Sequence, residues 1–266
     1  MAEAFYVPDG DRYVPTSHTR GPWDPAFQHA GPPAALVGRE IERCQPRDGF
    51  RVGRITCDIL RAVPIAPLTV SARVVRPGRS VELLEGSLSD EGGEVMRASA
   101  WRVRTAALPI PAELAGPPAP PPPSEGRAGD PPFFGEGAHE FGYHRAMEWS
   151  FVAGAFDELG PATVWLRMLH PLVPGEEPSP LVRVLVAADS GNGVSASLEF
   201  QRWVFVNTDL TVHLHRHPAG EWVCLDSATF AAPDGVGLSD TALFDERGQI
   251  GRAAQTLLVD RRPTGE

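Results

Sequence analysis

The chain has 266 residues, of which 42% are hydrophobic and 22% are charged, which suits one large domain or two of ordinary size. Its net charge is −10 and all 24 basic residues are arginine, so the sequence carries no basic stripe of the kind that nucleic-acid binding requires. Three widely spaced cysteines exclude a disulfide framework, and the lack of a signal-peptide pattern or an 18-residue apolar run predicts a cytoplasmic protein without a membrane segment.

The first half of the chain combines one helix with a series of strands. Apolar residues recur at helical spacing over Ala34–Cys44, directly after Gly31-Pro32-Pro33, and predict an amphipathic helix with proline near its start. From Gly49 onward the hydrophobic period changes to two, as in half-buried strands. This alternation predicts strands at Ile55–Arg61, Leu68–Val75, Val81–Ser89 and Val95–Arg104. One helix followed by antiparallel strands predicts the α+β class.

Residues 108–133 interrupt this pattern. They include the run P-P-A-P-P-P-P at 117–123, which cannot form a buried core. Proline-rich segments are extended and act as semi-rigid spacers. We therefore predict an N-terminal unit over residues 1–107, a linker over 108–133 and a C-terminal unit over 134–266.

The second half contains a polar cluster after an apolar run. Leu181–Val186 is apolar and largely β-branched, which favours a strand or another buried run, and A-A-D-S-G-N-G follows at 187–193. Residues of this kind cap and open a helix, so we expect the Asp189 carboxylate beside unpaired backbone N–H groups. Such a site can hold an anion or a developing oxyanion. The alternative interpretation is that Asp189 serves only as a helix cap.

Matching segments indicate an internal duplication. Two segments of the first half recur 155 residues later: Thr56–Arg61 as Thr211–Arg216, and Leu88–Ala98 as Leu243–Ala253. A weaker match, with a shorter loop, pairs the segment from His29 to Gly31 with the segment from Asp189 to Gly191. The repeat predicts two copies of a unit in which one long helix lies on a meander of strands.

The chain closes with the hairpin sequence F-D-E-R-G-Q-I-G-R-A-A-Q at 244–255. Together with the two helix-and-sheet halves and the A-A-D-S-G-N-G segment, it resembles the type II acyl-CoA thioesterases with a double hotdog fold. The resemblance implies two tandem hotdog units, each a long helix wrapped by an antiparallel sheet, with the sheets joined edge to edge. It also implies a thioester hydrolase of fatty acid metabolism that acts on acyl-CoA or another acyl thioester and needs no cofactor.

The family's catalytic set is an Asp, a Thr or Ser, and a Gln, and the resemblance assigns these roles to Asp189, Thr229 and Gln255. Ser227 is the alternative hydroxyl on the same strand. Asp189 would accept a proton from water while the other two orient that water. The first-half position equivalent to Gln255 is Ala100, which predicts one active and one supporting half. The residues expected to bind substrate or stabilise its oxyanion are His29, Gly31, Gly191, Asn192 and Gly193.

Two other functions stay open from the sequence. A hotdog hydratase or dehydratase acting on acyl thioesters would use an Asp and His pair, which Asp189 and His29 could supply. A non-catalytic acyl-CoA-binding protein is the third interpretation, because Pro32 and Pro33 remove N–H donors from the start of the first helix.

Binding partners are less clearly indicated. Arg202 and Arg216 are the candidates for contacting the phosphates of CoA. His213, His215 and His217 share one strand face, but their first-half counterparts form no ligand pattern, so we expect no metal site. A homo-oligomer is compatible with an exposed sheet edge.

Overall fold

The computed structural model describes residues 3–129 and 142–262. The predicted boundary between the linker and the C-terminal unit, at residues 133 and 134, lies outside these residues. The first half contains β1 (Tyr6–Asp9), β2 (Arg12–Pro15), α1 (Gly31–Arg43), β3 (Phe50–Ile59), β4 (Leu68–Arg76), β5 (Val81–Asp90) and β6 (Gly93–Arg104). Short 3-10 turns occur at Ser17–Thr19, Ala112–Leu114 and Pro123–Glu125.

The second half repeats this sequence of elements, with two additional short helices and with one strand divided in two. It contains α2 (Gly142–Arg145), β7 (Met147–Ala153), β8 (Ala162–Met168), α3 (Pro180–Ala188), α4 (Gly191–Val194), β9 (Trp203–Asn207), β10 (Asp209–Leu214), β11 (Val223–Ala231), β12 (Val236–Asp245) and β13 (Gly248–Arg261). β4, β5 and β6 begin 155 residues before β11, β12 and β13. This spacing agrees with the offset of the sequence repeat.

The described strands form one antiparallel sheet of 13 strands, in which the strand order of one half mirrors that of the other. It runs β1-β2-β4-β5-β6-β3-β10-β13-β12-β11-β8-β7, and β9 pairs with β13 beside this path. At the centre, Thr56 of β3 faces Thr211 of β10, and their hydroxyl oxygens lie 3.2 Å apart. These two residues are separated by the repeat offset, so the pair marks the position of an approximate twofold axis.

One β-bulge distinguishes the central strand of each half. In the first half Gly53 is the extra residue, because Val52 pairs with Arg102 while Arg54 pairs with Trp101. In the second half Asn207 pairs with Leu257 while Thr211 pairs with Ala254, so Thr208 is extra. β9 and β10 together thus correspond to β3, divided at the bulge.

The helix predicted at Ala34–Cys44 is confirmed, although it begins three residues earlier, at Gly31. Prolines occupy its second and third positions, where a missing N–H costs no helical hydrogen bond. Its apolar side is completely buried against the sheet. None of the described helices is long and apolar enough to cross a membrane.

Of the two alternatives for Leu181–Val186, the buried run is confirmed and the strand is wrong, and the helix expected to open at Asp189 is also wrong. Residues 180–188 form α3, which is capped by Ser179, whose Oγ accepts from the N–H of Val182 at 3.2 Å. Asp189 stands at the C-terminal end of α3, and only the four-residue α4 follows. A short apolar run is ambiguous between strand and buried helix, and the Ser-Pro start was the deciding signal. One long helix in each half is therefore not confirmed.

The two main helices pack side by side in opposite directions. Gly31, at the start of α1, meets Val186 near the end of α3, and Gly38 meets Leu185. At the other end, the hydroxyl of Ser179 donates to the Glu42 carboxylate at 2.5 Å. Antiparallel packing brings the start of α1 beside the end of α3.

The described part of the proline-rich segment lies along the second half. Its backbone carbonyls accept from three residues there: the indole of Trp165 at Pro121, the hydroxyl of Ser150 at Pro123 and the N–H of Gln249 at Pro117. Proline keeps its carbonyl acceptor although it lacks an N–H donor. Residues 117–123 are thereby attached to strands of the second half.

Gly31→Ala should lower the free energy of unfolding by about 1–3 kcal/mol, because overpacking forces neighbouring backbone to shift. A Cβ at position 31 would lie 2.4 Å from the carbonyl oxygen of Val186, whereas one at Gly193 would meet nothing within 4 Å. Gly193→Ala is therefore the matched control, and both glycines lie in helices. Denaturant unfolding measures the difference. Equal stability of the two variants would contradict the close helix contact.

Candidate active site

A cavity of about 700 Å³ lies between the two halves. The first half contributes residues from 21–30 and 59–63, and the second half contributes residues from 143–159 and 189–208. His29, Asp189 and Asn192 form part of its wall. Seven large aromatic side chains also line it: Trp23, Phe27, Tyr143, Trp149, Phe156, Phe200 and Phe205. A mostly apolar cavity with a few convergent polar groups is the usual form of a small-molecule site.

The carboxylate of Asp189 is held by two side-chain amides. Its side chain is 4% exposed. Its Oδ1 accepts from Nε2 of Gln255 at 3.0 Å and from Nδ2 of Asn207 at 2.8 Å. The Gln255 amide is itself oriented, because its Oε1 accepts from the backbone N–H of Asn192 at 3.1 Å. The structure thus brings together Asp189 and Gln255, which come from α3 and β13.

Asn207 was missed in the sequence. It is the last residue of β9, directly before the bulge at Thr208, and bulges commonly redirect a side chain beside a site. Its counterpart in the first half is Val52, which is buried. Comparison of the two copies could have identified Asn207, because it is polar where the equivalent residue of the first half is apolar.

The hydroxyl assigned to the catalytic set does not contact the carboxylate. Thr229 Oγ1 lies 2.8 Å from Ser195 Oγ, and Ser227 Oγ lies 2.8 Å from Thr241 Oγ1. Thr229, Ser239 and Gln255 form one row across β11, β12 and β13. Two strand spacings, about 10 Å, therefore separate the backbones of Thr229 and Gln255. Where the resemblance implies a hydroxyl, the carboxylate instead contacts the amide of Asn207.

His29 approaches the other carboxylate oxygen. Its Nδ1 lies 3.0 Å from Asp189 Oδ2, and its ring stacks on Tyr143 with 3.7 Å between the ring centroids and 4° between the planes. The Tyr143 hydroxyl donates to the carbonyl of Val186 at 2.7 Å and lies 2.8 Å from Ser190 Oγ. Burial lowers the pKa of His29, although the Asp189 charge raises it, and burial raises the pKa of Tyr143.

The weaker sequence match between His29 and Asp189 is not an equivalence in the fold. His29 precedes α1, whereas Asp189 follows α3. The first-half residue at the position equivalent to Asp189 is Cys44, which follows the last residue of α1 as Asp189 follows α3. His29 and Asp189 meet because the helices are antiparallel.

The glycines predicted to bind substrate have different surroundings. Gly31 and Gly191 are buried in packing contacts and are not among the described residues that line the cavity. A Cβ on Gly191 would lie 2.5 Å from Thr241 Oγ1. Gly193 and Asn192 do line the cavity, and the Asn192 amide donates to the carbonyl of Phe205 at 2.9 Å.

The candidate arginines also differ. Arg216 donates to the buried Asp245 carboxylate at 2.6 Å and lowers the pKa of Asp245, so it stabilises the closing hairpin. Arg202 is exposed and lies 3.2 Å from Glu199, a residue of the cavity wall. Arg61 lines the cavity and is ion-paired with the last residue of β5. Of the two candidates, Arg202 is the one at the cavity margin.

The histidine run does not form a cluster in one strand. His213 lies in β10, His215 follows its end, and Nε2 of His217 lies 2.8 Å from the carbonyl of Val52. Within the described ranges, the residues whose potential metal ligands lie within 4.8 Å of one another are Glu3, His18 and His170. The two imidazoles of this group are stacked with 4.1 Å between centroids, so their lone pairs do not converge on one ion. We assign no metal to it.

Two sequence profiles of one protein family match the chain in tandem. The profile of the acyl-CoA thioesterase N-terminal domain matches residues 19–103, and that of the acyl-CoA thioesterase C-terminal domain matches residues 111–259. None of the curated protein sequences matches the chain.

Solved structures resemble the whole chain. A protein of unknown function with a hotdog fold from Alicyclobacillus acidocaldarius has a TM-score of 0.74 and 14% identity, covering 97% of this chain and 96% of that one. A proposed thioesterase II from Thermobifida fusca has a TM-score of 0.74 and 18% identity, covering 96% and 95%. An acyl-CoA thioesterase II from Mycobacterium marinum has a TM-score of 0.65 and 16% identity, covering 88% and 91%. At these identities the similarity shows the fold, which is the hotdog fold.

The imidazole of His29 should titrate below its ordinary pKa of 6.5, because burial outweighs the Asp189 charge. Asp189→Asn should lower this pKa further, since the variant removes the negative charge that raises it. An NMR titration of the imidazole resonances measures both values. His217, whose pKa is lowered by burial and not by Asp189, is the internal control and should not move. A higher His29 pKa in the variant would contradict the contact.

Proposed function

The chain belongs to the acyl-CoA thioesterase family, and on this basis we propose that it hydrolyses an acyl thioester bound in the cavity between its halves. The observation that carries the proposal is the Asp189 carboxylate, which lies in the cavity wall with Oδ1 held by Gln255 and Asn207. The carboxylate acts as the general base. The two amides hold it in one orientation, so that Oδ2 is the oxygen that faces the attacking water.

Hydrolysis needs little beyond positioning and one proton acceptor. A thioester carbonyl is already electrophilic, and a water held beside it reacts as if in an intramolecular step. As the water oxygen bonds to the carbonyl carbon, its proton passes to Asp189. The tetrahedral intermediate then expels the thiolate, which takes up a proton, and the products are a carboxylic acid and a thiol. No step requires a cofactor.

The negative charge on the carbonyl oxygen needs a donor in the cavity wall. Gly193 lies in that wall, is exposed and has open space where a side chain would be. The N–H of Asn192 already donates to Gln255. We therefore assign the oxyanion contact to the N–H of Gly193.

The aromatic lining suits the acyl group. Rings from both halves surround the cavity, and Trp23, Phe200 and Phe205 contact one another with centroids 4.7–6.3 Å apart. Burying an acyl chain against them is favourable at roughly 25 cal/mol per Å². The thiol arm of CoA would leave past Glu199, with Arg202 as the contact for its phosphates. A role in fatty acid metabolism in the cytoplasm, and a homo-oligomeric state, belong to the same proposal.

A hydratase or dehydratase acting on an acyl thioester is the second candidate. The observation that favours it is the 3.0 Å contact between His29 Nδ1 and Asp189 Oδ2, since that chemistry uses a His and carboxylate pair. Non-catalytic binding of acyl-CoA is the remaining alternative. Incubation with acyl-CoAs and an enoyl-CoA distinguishes the three functions.

Wild-type protein should release free thiol from acyl-CoAs of several chain lengths, and Asp189→Asn should lower kcat about 10²- to 10⁴-fold, the usual contribution of a general base. Asp234→Asn, at an exposed turn between β11 and β12, is the matched control and should be fully active. Hydration of an enoyl-CoA without thiol release would favour the second candidate. Binding with neither reaction would favour the third.

Asn207→Leu should lower kcat about 10- to 100-fold, because the carboxylate loses one of two amide donors to Oδ1. Thr229→Val should leave kcat within about threefold, because the hydroxyl of Thr229 bonds to Ser195 and not to the carboxylate. Both substitutions keep the size of the side chain, and thermal unfolding checks the fold. A larger loss in the Thr229 variant would restore the hydroxyl to the catalytic set.

A further inference from the structure

The first half of the chain contributes one ionisable side chain to the centre of the site. His29 lies just before α1, and the antiparallel packing of α1 on α3 carries it to Asp189. The imidazole is 12% exposed and its plane is fixed by the stacked ring of Tyr143. The Tyr143 hydroxyl bonds to Val186 and Ser190, which flank the carboxylate in sequence. The imidazole is thus stacked on a ring that is itself held by two hydrogen bonds.

The contact determines which imidazole nitrogen carries the proton. An ionised carboxylate can only accept hydrogen bonds, so a hydrogen bond across the 3.0 Å between Nδ1 and Oδ2 has Nδ1 as its donor. The N–H of Gly31 also points at Nδ1, from 3.2 Å, and would require the opposite tautomer. A charge-assisted bond to a carboxylate is about twice as strong as a neutral one, so the bond to Asp189 prevails. In the tautomer that donates to Asp189, the N–H of Gly31 faces a protonated Nδ1, and its contact at 3.2 Å is the one given up.

We propose that His29 is a positioning residue of the hydrolysis, whose Nδ1–H donates to Asp189 Oδ2 and leaves one lone pair of that oxygen for the attacking water. Gln255 and Asn207 fix Oδ1, and His29 fixes the second oxygen. Three N–H donors from separate segments then define the orientation of the base. This inference rests on the proposed function, and it differs from the sequence-based assignment of His29 to substrate binding.

Substitution can show which imidazole nitrogen of His29 is required for activity. The amide nitrogen of Asn occupies the place of Nδ1, whereas that of Gln occupies the place of Nε2. His29→Asn should therefore keep kcat within about threefold of wild type. His29→Gln should lower kcat about 10- to 100-fold, the loss expected for one hydrogen bond to a charged group, with KM within about threefold. Thermal unfolding verifies that both variants fold.

Other outcomes overturn the proposal. An equal loss of kcat in both variants would mean that Nε2 takes part in the chemistry, and equal activity of both would mean that His29 has no role. A rise in KM with kcat unchanged would return His29 to substrate binding.

An NMR measurement on the wild-type protein provides an independent arm. The ¹⁵N shift of His29 and its one-bond N–H coupling should show Nδ1 protonated at pH 7, and an unprotonated Nδ1 would overturn the inference. If the wild-type protein released no thiol from any acyl-CoA, the proposed function would fail. The protonation state of Nδ1 would still test the hydrogen bond between His29 and Asp189 independently of activity.

Discussion

A carboxylate that is only 4% exposed is costly unless N–H donors replace the water it has lost, and this requirement governs the centre of the molecule. The amide donors to Asp189 come from β9 and β13, and the imidazole proposed as the third donor comes from the segment before α1. The first two belong to the second half and the third to the first half. The complete arrangement therefore exists only when the halves are docked, and folding and site assembly are one event.

The duplicated fold explains where polar groups could be introduced. The first-half counterparts of Gln255 and Asn207 are Ala100 and Val52, both buried and apolar. Equivalent backbone positions thus support core packing in one copy and a hydrogen-bond network in the other. The bulge is present in both copies, as Gly53 and Thr208, but only in the second does an amide precede it. The two copies therefore share the backbone geometry of the bulge and differ in the side chain that precedes it.

The strands could be predicted from the sequence, because both the alternation of apolar residues and the repeat offset can be read directly from residue positions. Prediction failed where two structures share one pattern, since the apolar run before Asp189 suits a strand as well as a buried helix. The position of Gln255 beside Asp189 was predicted through the family resemblance. Asn207 was not considered because the resemblance implies a hydroxyl, and the distance from Thr229 to Asp189 depends on the register across three strands. No spacing within the chain reveals that register.

The same comparison of the two copies argues for one site in each chain. A second site related by the pseudo-twofold would need a base at the end of α1, where Cys44 stands, and amides at positions 52 and 100. Cys44 instead lies against the carbonyl of Ala72, with its Sγ 3.5 Å from that oxygen, and the other two positions hold Val and Ala. A carboxylate placed there would find none of these side-chain amides. The first half is thus a partner that completes the centre through His29, and a single substrate is expected per chain.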